Sequence, residues 1–337
     1  MQAGEPEIEE QKQGGPQALS PKNLIKTRNG RFLAFGVLYI SEGIPYGFAT
    51  VAMITFMRQQ GMALDQIGLF SAVMFLPWSF KWVWAPLIDL IRLDHFGGRR
   101  AWILLCTAGM IVTLVMAALV DFQANFQLLL AMIFINNMFC ATQDVAIDSL
   151  AVSTLKPNER GRGNGFMFGG QYFGITLGGG VSVFVYGFSG LAGALTWTIG
   201  LLILSFMFAL LFVRDPHADP EAPPQSHLFR NLYYSMVEFV QKVYAAFWKS
   251  GSGPMVGVLF SLLPCGAMAL AYATLSTIQV DYGLSEGQIA ELRIYNTIAS
   301  ALGCLAGGIL GDHYGTKRIV ALAYFLTALP TAFLGWQ

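Results

Sequence analysis

Apolar positions along most of this chain neither alternate nor recur with helical spacing; they run on without interruption. "AWILLCTAGMIVTLVMAALV" (101–120) and "LAGALTWTIGLLILSFMFALLFV" (191–213) contain no charged residue. About 20 such residues in a helix cross the hydrocarbon core of a bilayer, whereas a helix on the surface of a soluble protein keeps a polar face. The pattern predicts about nine spans, near 32–56, 67–90, 101–121, 126–155, 163–188, 191–213, 254–280, 288–311 and 318–337. The fold class expected is all-α integral membrane. One segment differs. In "LFRNLYYSMVEFVQKVYAAFWKS" (228–250), Leu228, Leu232, Met236, Phe239, Val243 and Phe247 recur at helical spacing. Glu238, Gln241, Lys242 and Lys249 fill the other face. That pattern predicts a helix lying in the membrane interface, reached through the Pro-rich linker "DPHADPEAPPQSH" (215–227).

Composition agrees with the spans. Of 337 residues 55% are hydrophobic and 12% charged, where soluble proteins carry about 25% charged residues. The formal net charge of zero gives no reason to expect nucleic acid. The four cysteines lie in apolar runs without a CxxC pair, and no histidine has a companion at metal-ligand spacing, so neither metal nor cofactor is expected. No GxxxxGK[ST] loop and no nucleophile–base set is present, so the chain is not expected to be an enzyme or to use ATP. Residues 1–31 lack a signal peptide's basic start and are expected to form a disordered tail. Of the 20 Lys and Arg, Lys81 and Arg293 fall inside spans. All the others except Arg58 fall on the side of the N-terminus, which the positive-inside rule makes cytoplasmic.

The chain also repeats itself. "DHFGGRR" (94–100) matches "DHYGTKR" (312–318), "DQIG" (65–68) matches "GQIA" (287–290), and "GVLY" (36–39) matches "GVLF" (257–260), at offsets of 218, 222 and 221. Each pair holds the same place in the span order. The expected organisation is a six-helix unit (32–213), a cytoplasmic linker with the interfacial helix (214–253) and three helices of a second, parallel unit (254–337).

That architecture resembles the major facilitator superfamily, and "GILGDHYGTKR" (308–318) matches its loop signature. The family's bundle has twelve spans. The resemblance implies that three helices of the second unit lie beyond the ninth span, within which this sequence stops. "LPWSFKWVWAPLID" (76–89), "GGRRAW" (97–102), "ATQDVAID" (141–148) and "ERGRGNG" (159–165) are similar to the branch holding AmpG-like muropeptide permeases and acetyl-coenzyme A transporters. The resemblance implies a monomeric multi-pass inner-membrane importer working by alternating access, with a small-molecule solute, protons and the lipid bilayer as its partners. Lys81, Asp89, Arg99, Arg100, Asp144, Asp148 and Glu159 fall on family motif positions. Glu42, in "SEGIPYG", stands where muropeptide permeases carry a small residue.

Five ionisable residues lie inside spans: Glu42, Lys81, Asp144, Asp148 and Arg293. Each costs at least about 2.5 kcal/mol at the bilayer centre, so each should face a cavity or a partner. Glu42 is a proton carrier or the buried partner of Lys81 or Arg293. Asp144 and Asp148 share one helix face, one turn apart. Asp148 lies within reach of the loop arginines Arg99, Arg160 and Arg162, which favours a latch. Asp144, a turn deeper, pairs with Lys81 or serves a proton relay. Asp89, Asp94, Arg99, Arg100, Glu159 and Arg160, with Asp312, Lys317 and Arg318 in the second copy, form a loop charge latch or simply anchor the topology. Asn136, Asn137, Gln143, Gln171 and Tyr172 offer hydrogen bonds to a polar solute or between helices. Gly161, Gly165 and Gly169, and again Gly170, Gly174 and Gly178, form rows suited to close helix approach. The function expected is secondary, proton-coupled import of a polar, muropeptide-like solute. The alternatives are a non-transporting sensor on the same fold and a carrier of acetyl-CoA or another organic anion.

Overall fold

The computed structural model describes residues 23–91, 93–119, 125–218, 228–249, 251–257, 259 and 277–336. Helix α1, Arg28–Gln59, begins behind Thr27, whose hydroxyl caps the Gly30 N–H at 3.1 Å. The tail expected to be unstructured through residue 31 is therefore helical from Arg28, after a 3-10 turn at Leu24–Lys26. Pro45 supplies no N–H to the helix ladder, and the next turn widens into a π-helical segment, Phe48–Met53. Then follow α2 (Leu64–Leu90), α3 (Arg99–Ala118), α4 (Phe126–Thr154), α5 (Arg160–Gly178), α6 (Gly180–Phe212), α7 (Leu228–Trp248), α8 (Glu286–Tyr314) and α9 (Thr316–Trp336). No strand occurs among the described residues.

Five stretches among those residues are long and apolar enough to cross a bilayer: Arg28–Gln59, Arg99–Ala118, Phe126–Thr154, Pro157–Phe212 and Gly287–Tyr314. The fourth is a hairpin. Gly190 adopts φ +65°, and Ser182 Oγ lies 3.2 Å from Thr198 Oγ1, sixteen residues on. A straight helix would separate them by about 24 Å. Spans five and six thus meet at Gly190, and α5 with the first part of α6 makes up span five. Leu64–Leu90 and Thr316–Trp336 are helical where spans two and nine are expected. Most of the seventh segment, 254–280, lies outside the described residues, as do residues 1–22 of the tail, 219–227 of the linker and the side chains of Leu228 and Leu232 in α7.

The two glycine rows of α5 turn out to serve two different neighbours. Gly170 and Gly174 meet α1: a Cβ at Gly170 would strike the Gly36 carbonyl, and one at Gly174 the Ile40 carbonyl. Gly161 and Gly165 meet α8, where a Cβ at Gly165 would lie 3.0 Å from the Cys304 carbonyl. Lipid tails are as apolar as leucine, so close van der Waals contact of this kind holds membrane helices together. Helix α5 is thereby clamped between α1 and α8.

Candidate functional site

A cavity of about 310 Å³ opens between α1, α2, α5 and α8. Helix α1 contributes Tyr46 just before the widened turn, Thr50 within it and Ile54 just after it. Helix α2 adds Phe75 and Trp78, α5 adds Gln171, Tyr172 and Thr176, and α8 adds Asn296 and Thr297. The wall is aromatic and amide in character, and it holds no Asp, Glu, Lys, Arg or His among the described residues.

The charges stand one residue behind it. Gln171 donates its amide N–H to Glu42 Oε1 at 2.6 Å, and Glu42 is fully buried. The other carboxyl oxygen, Oε2, has no hydrogen-bond partner among the described residues. Trp78 is backed by the Lys81 ammonium, 5.5 Å from its ring centroid, and donates its indole N–H to Asn137 Oδ1 at 3.0 Å. Lys81 in turn holds Asp144 in a direct ion pair. Asp144 is 6% exposed and Lys81 37%, so the acid is the more deeply buried partner. Tyr39 donates its hydroxyl to Asp148. Cys140, one turn before Asp144, directs its thiol at the Glu42 carbonyl at 3.6 Å. Helices α1 and α4 therefore set Tyr39 and Glu42 beside Asp148, Asp144 and Cys140. The three acids Glu42, Asp144 and Asp148 thus stand around the single ammonium of Lys81.

Several expectations change here. Glu42 is paired with Gln171, not with Lys81. The side chain of Arg293, its other expected partner, and that of Asp89 lie outside those described. Asp148 is held by Tyr39 rather than by Arg99, Arg160 or Arg162, because its helix face turns towards α1 and not towards the loop. Asn136, Asn137 and Gln143 are buried and lie outside the cavity wall. Asn136 donates to Thr113 Oγ1 at 2.8 Å and the Met110 carbonyl at 3.2 Å, and Gln143 to Thr107 Oγ1 at 2.6 Å. They join α4 to α3, and Asn137 joins α4 to α2. Of the five polar candidates, only Gln171 and Tyr172 reach the cavity.

The loop charges separate into distinct contacts instead of one latch. Arg31 grips Glu159 with Nε at 3.0 Å and Nη2 at 2.7 Å, and this guanidinium holds the Glu159 carboxyl below the usual carboxylate range. Arg99 donates its backbone N–H to Asp215 at 3.0 Å and its Nε to Ser149 at 2.7 Å. Arg100 donates to the carbonyls of Ala209 and Leu210 near the end of α6, where the helix dipole favours a cation. Asp94 is buried in the 3-10 turn Asp94–Phe96, and Arg160 is exposed. Asp312 accepts the Arg162 backbone N–H at 3.1 Å, so it caps α5 across the α5–α8 contact rather than joining the exposed Lys317 and Arg318.

Tyr39, Trp78 and Tyr46 escape the sequence reading, although Tyr39 falls one helical turn from Glu42 and that spacing is a usable signal. Nothing local marks Asp215 as the partner of Arg99, since the two are 116 residues apart.

Residues 32–337 match the model of the Major Facilitator Superfamily. An uncharacterized protein of Haemophilus influenzae is 24% identical over 290 residues, covering 84% of this chain and 65% of that protein. The anhydromuropeptide permease of Escherichia coli K12 is 25% identical over 308 residues, 88% of this chain and 58% of the permease. A Rickettsia felis protein with AmpG in its name is 21% identical over 314 residues, 91% of this chain and 74% of its own length. The chain thus spans 58% to 65% of the length of the first two. With a matching family model over most of its length and an all-helical, membrane-crossing fold, this multi-pass membrane protein belongs to the Major Facilitator Superfamily, in its AmpG-like branch.

Proposed function

We propose that this protein is a proton-coupled permease that imports a polar solute of the anhydromuropeptide class across the inner membrane by alternating access, with its N-terminus in the cytoplasm. The observation that carries the reading is the layering of the site. A wall whose described residues are mainly aromatic rings, amides and hydroxyls suits a sugar–peptide, whose ring faces can stack and whose amides can pair. Directly behind that wall lie buried acids, expensive at this depth unless they carry protons or partners. The name of the Escherichia coli relative supports the solute class. The orientation follows from the distribution of Lys and Arg, and α7 would then lie in the cytoplasmic interface.

The test is uptake of labelled anhydromuropeptide by the full-length protein in proteoliposomes with an imposed proton gradient. Accumulation that a protonophore abolishes is expected. Saturable binding with no gradient-driven flux would replace the permease with a sensor on the same fold.

A further inference from the structure

We infer that Gln171 is the residue through which occupancy of the cavity and protonation of Glu42 are linked. The inference rests on the proton-coupled reading above and assigns its coupling to one hydrogen bond. Glu42 does not line the cavity; Gln171 does, and its amide N–H already serves Glu42 Oε1 at 2.6 Å. The backbone of Gln171 packs directly on that of Gly43, one residue from Glu42, since a Cβ at Gly43 would collide with the Gln171 carbonyl. One amide thus faces two claimants, the buried carboxyl on one side and whatever fills the cavity on the other.

The sign of the linkage follows from the chemistry. A carboxylate gains from an N–H donor, and a neutral acid gains less. An occupant that draws the Gln171 N–H towards itself leaves the carboxylate without that donor. Glu42 Oε2 has no other among the described residues. Proton and occupant then enter together, and linkage makes the effect reciprocal: acid conditions tighten binding of the occupant. The ionisable groups around Glu42 are Lys81 from α2, Cys140, Asp144 and Asp148 from α4, and Tyr39 from α1 itself. Lys81 and Asp144 are paired with each other and Asp148 with Tyr39, so each keeps its partner when Gln171 moves.

The experiment compares wild type, Glu42→Gln, Gln171→Met and Gln171→Asn as full-length proteins in nanodiscs. Gln171→Met keeps the side-chain volume, and Gln171→Asn keeps the amide but stops one methylene short. The first readout needs no solute. The infrared carboxyl band of Glu42, assigned by its loss in Glu42→Gln, should move in both Gln171 variants. A band that stays in place overturns the inference. The second readout is the Kd for anhydromuropeptide against pH. One linked proton changes Kd by up to about tenfold per pH unit. That slope should be present in wild type, absent in Glu42→Gln, and flattened in both Gln171 variants while binding persists. A uniform loss of affinity with the wild-type slope would make Gln171 a plain binding residue and overturn the inference. A wild-type Kd that ignores pH would instead overturn the proton-coupled reading beneath it.

Discussion

A single methyl group added at Gly174 should separate two helices. A Cβ there would overlap the Ile40 carbonyl oxygen and lie 3.0 Å from the Gly43 Cα. Carbon contacts settle at about 3.5–4.0 Å, so α5 must withdraw from α1 by roughly 1 Å. Overpacking of this kind costs about 1–3 kcal/mol. The same shift stretches the 2.6 Å Gln171–Glu42 bond, one turn away, beyond hydrogen-bond range. A bond to an ionisable group is worth about 1.5–3 kcal/mol. Alanine returns about 1 kcal/mol of helix propensity. The net loss for Gly174→Ala is about 1.5–5 kcal/mol, or a fall in Tm of roughly 2–7 °C for a chain of this size. Gly200, in α6, has nothing within 4 Å of its Cβ position, so Gly200→Ala keeps only the propensity gain and should hold or raise Tm. Tryptophan-fluorescence melts in detergent compare the two. Equal melting temperatures would refute the backbone-to-backbone contact of α1 with α5.

Other outcomes follow from the loop pairs and the topology. Glu159→Gln should cost about 1.5–3 kcal/mol at neutral pH by removing the Arg31 pair. Because Arg31 lowers the folded-state pKa of Glu159, that stabilisation is fully present above the ordinary value of 4.5 and is lost as pH falls through the folded value. The melting gap between wild type and variant should therefore close in acid, and a gap independent of pH would contradict the pairing. Asp312→Asn should lower stability by about 0.5–1 kcal/mol through the lost charge at the start of α5, while Lys317→Gln leaves the melt unchanged. Equal effects would return Asp312 to the role of a topology anchor. With a cytoplasmic N-terminus, a membrane-impermeant thiol reagent applied to intact cells should label a cysteine at Gln60 and spare one at Asn158. The reverse pattern would invert the orientation.

The spans could be read from the sequence because a helix in lipid must be apolar along its whole length, and the glycine break at Gly190 falls where the hydropathy pattern places the turn between spans five and six. The start of α1 could not. Its first turn is polar and is held by the Thr27 cap and by Arg31 on Glu159, a pairing across 128 residues. The glycine rows of α5 announced close packing, but a row of small residues does not say which helix it meets. The Lys81–Asp144 pair was legible, since a buried charge needs an opposite one at similar depth. Helix rotation is what the sequence withheld. It turns Asp148 to Tyr39, hides Asn136 and Gln143 among α3 and α4, and leaves Gln171 as the amide that touches both the cavity and Glu42.

Proton coupling at the buried acids is tested most directly by comparing accumulation with exchange. Full-length wild type, Glu42→Gln and Asp144→Asn, in proteoliposomes, are followed for gradient-driven uptake and for gradient-free exchange of anhydromuropeptide from acid to neutral pH. Both variants should lose accumulation and keep exchange, because the cavity wall is intact while one of the buried carboxyls behind it is gone. Accumulation in both variants with the wild-type pH profile would contradict the coupling and leave Asp144 as a counter-ion holding α4 against α2.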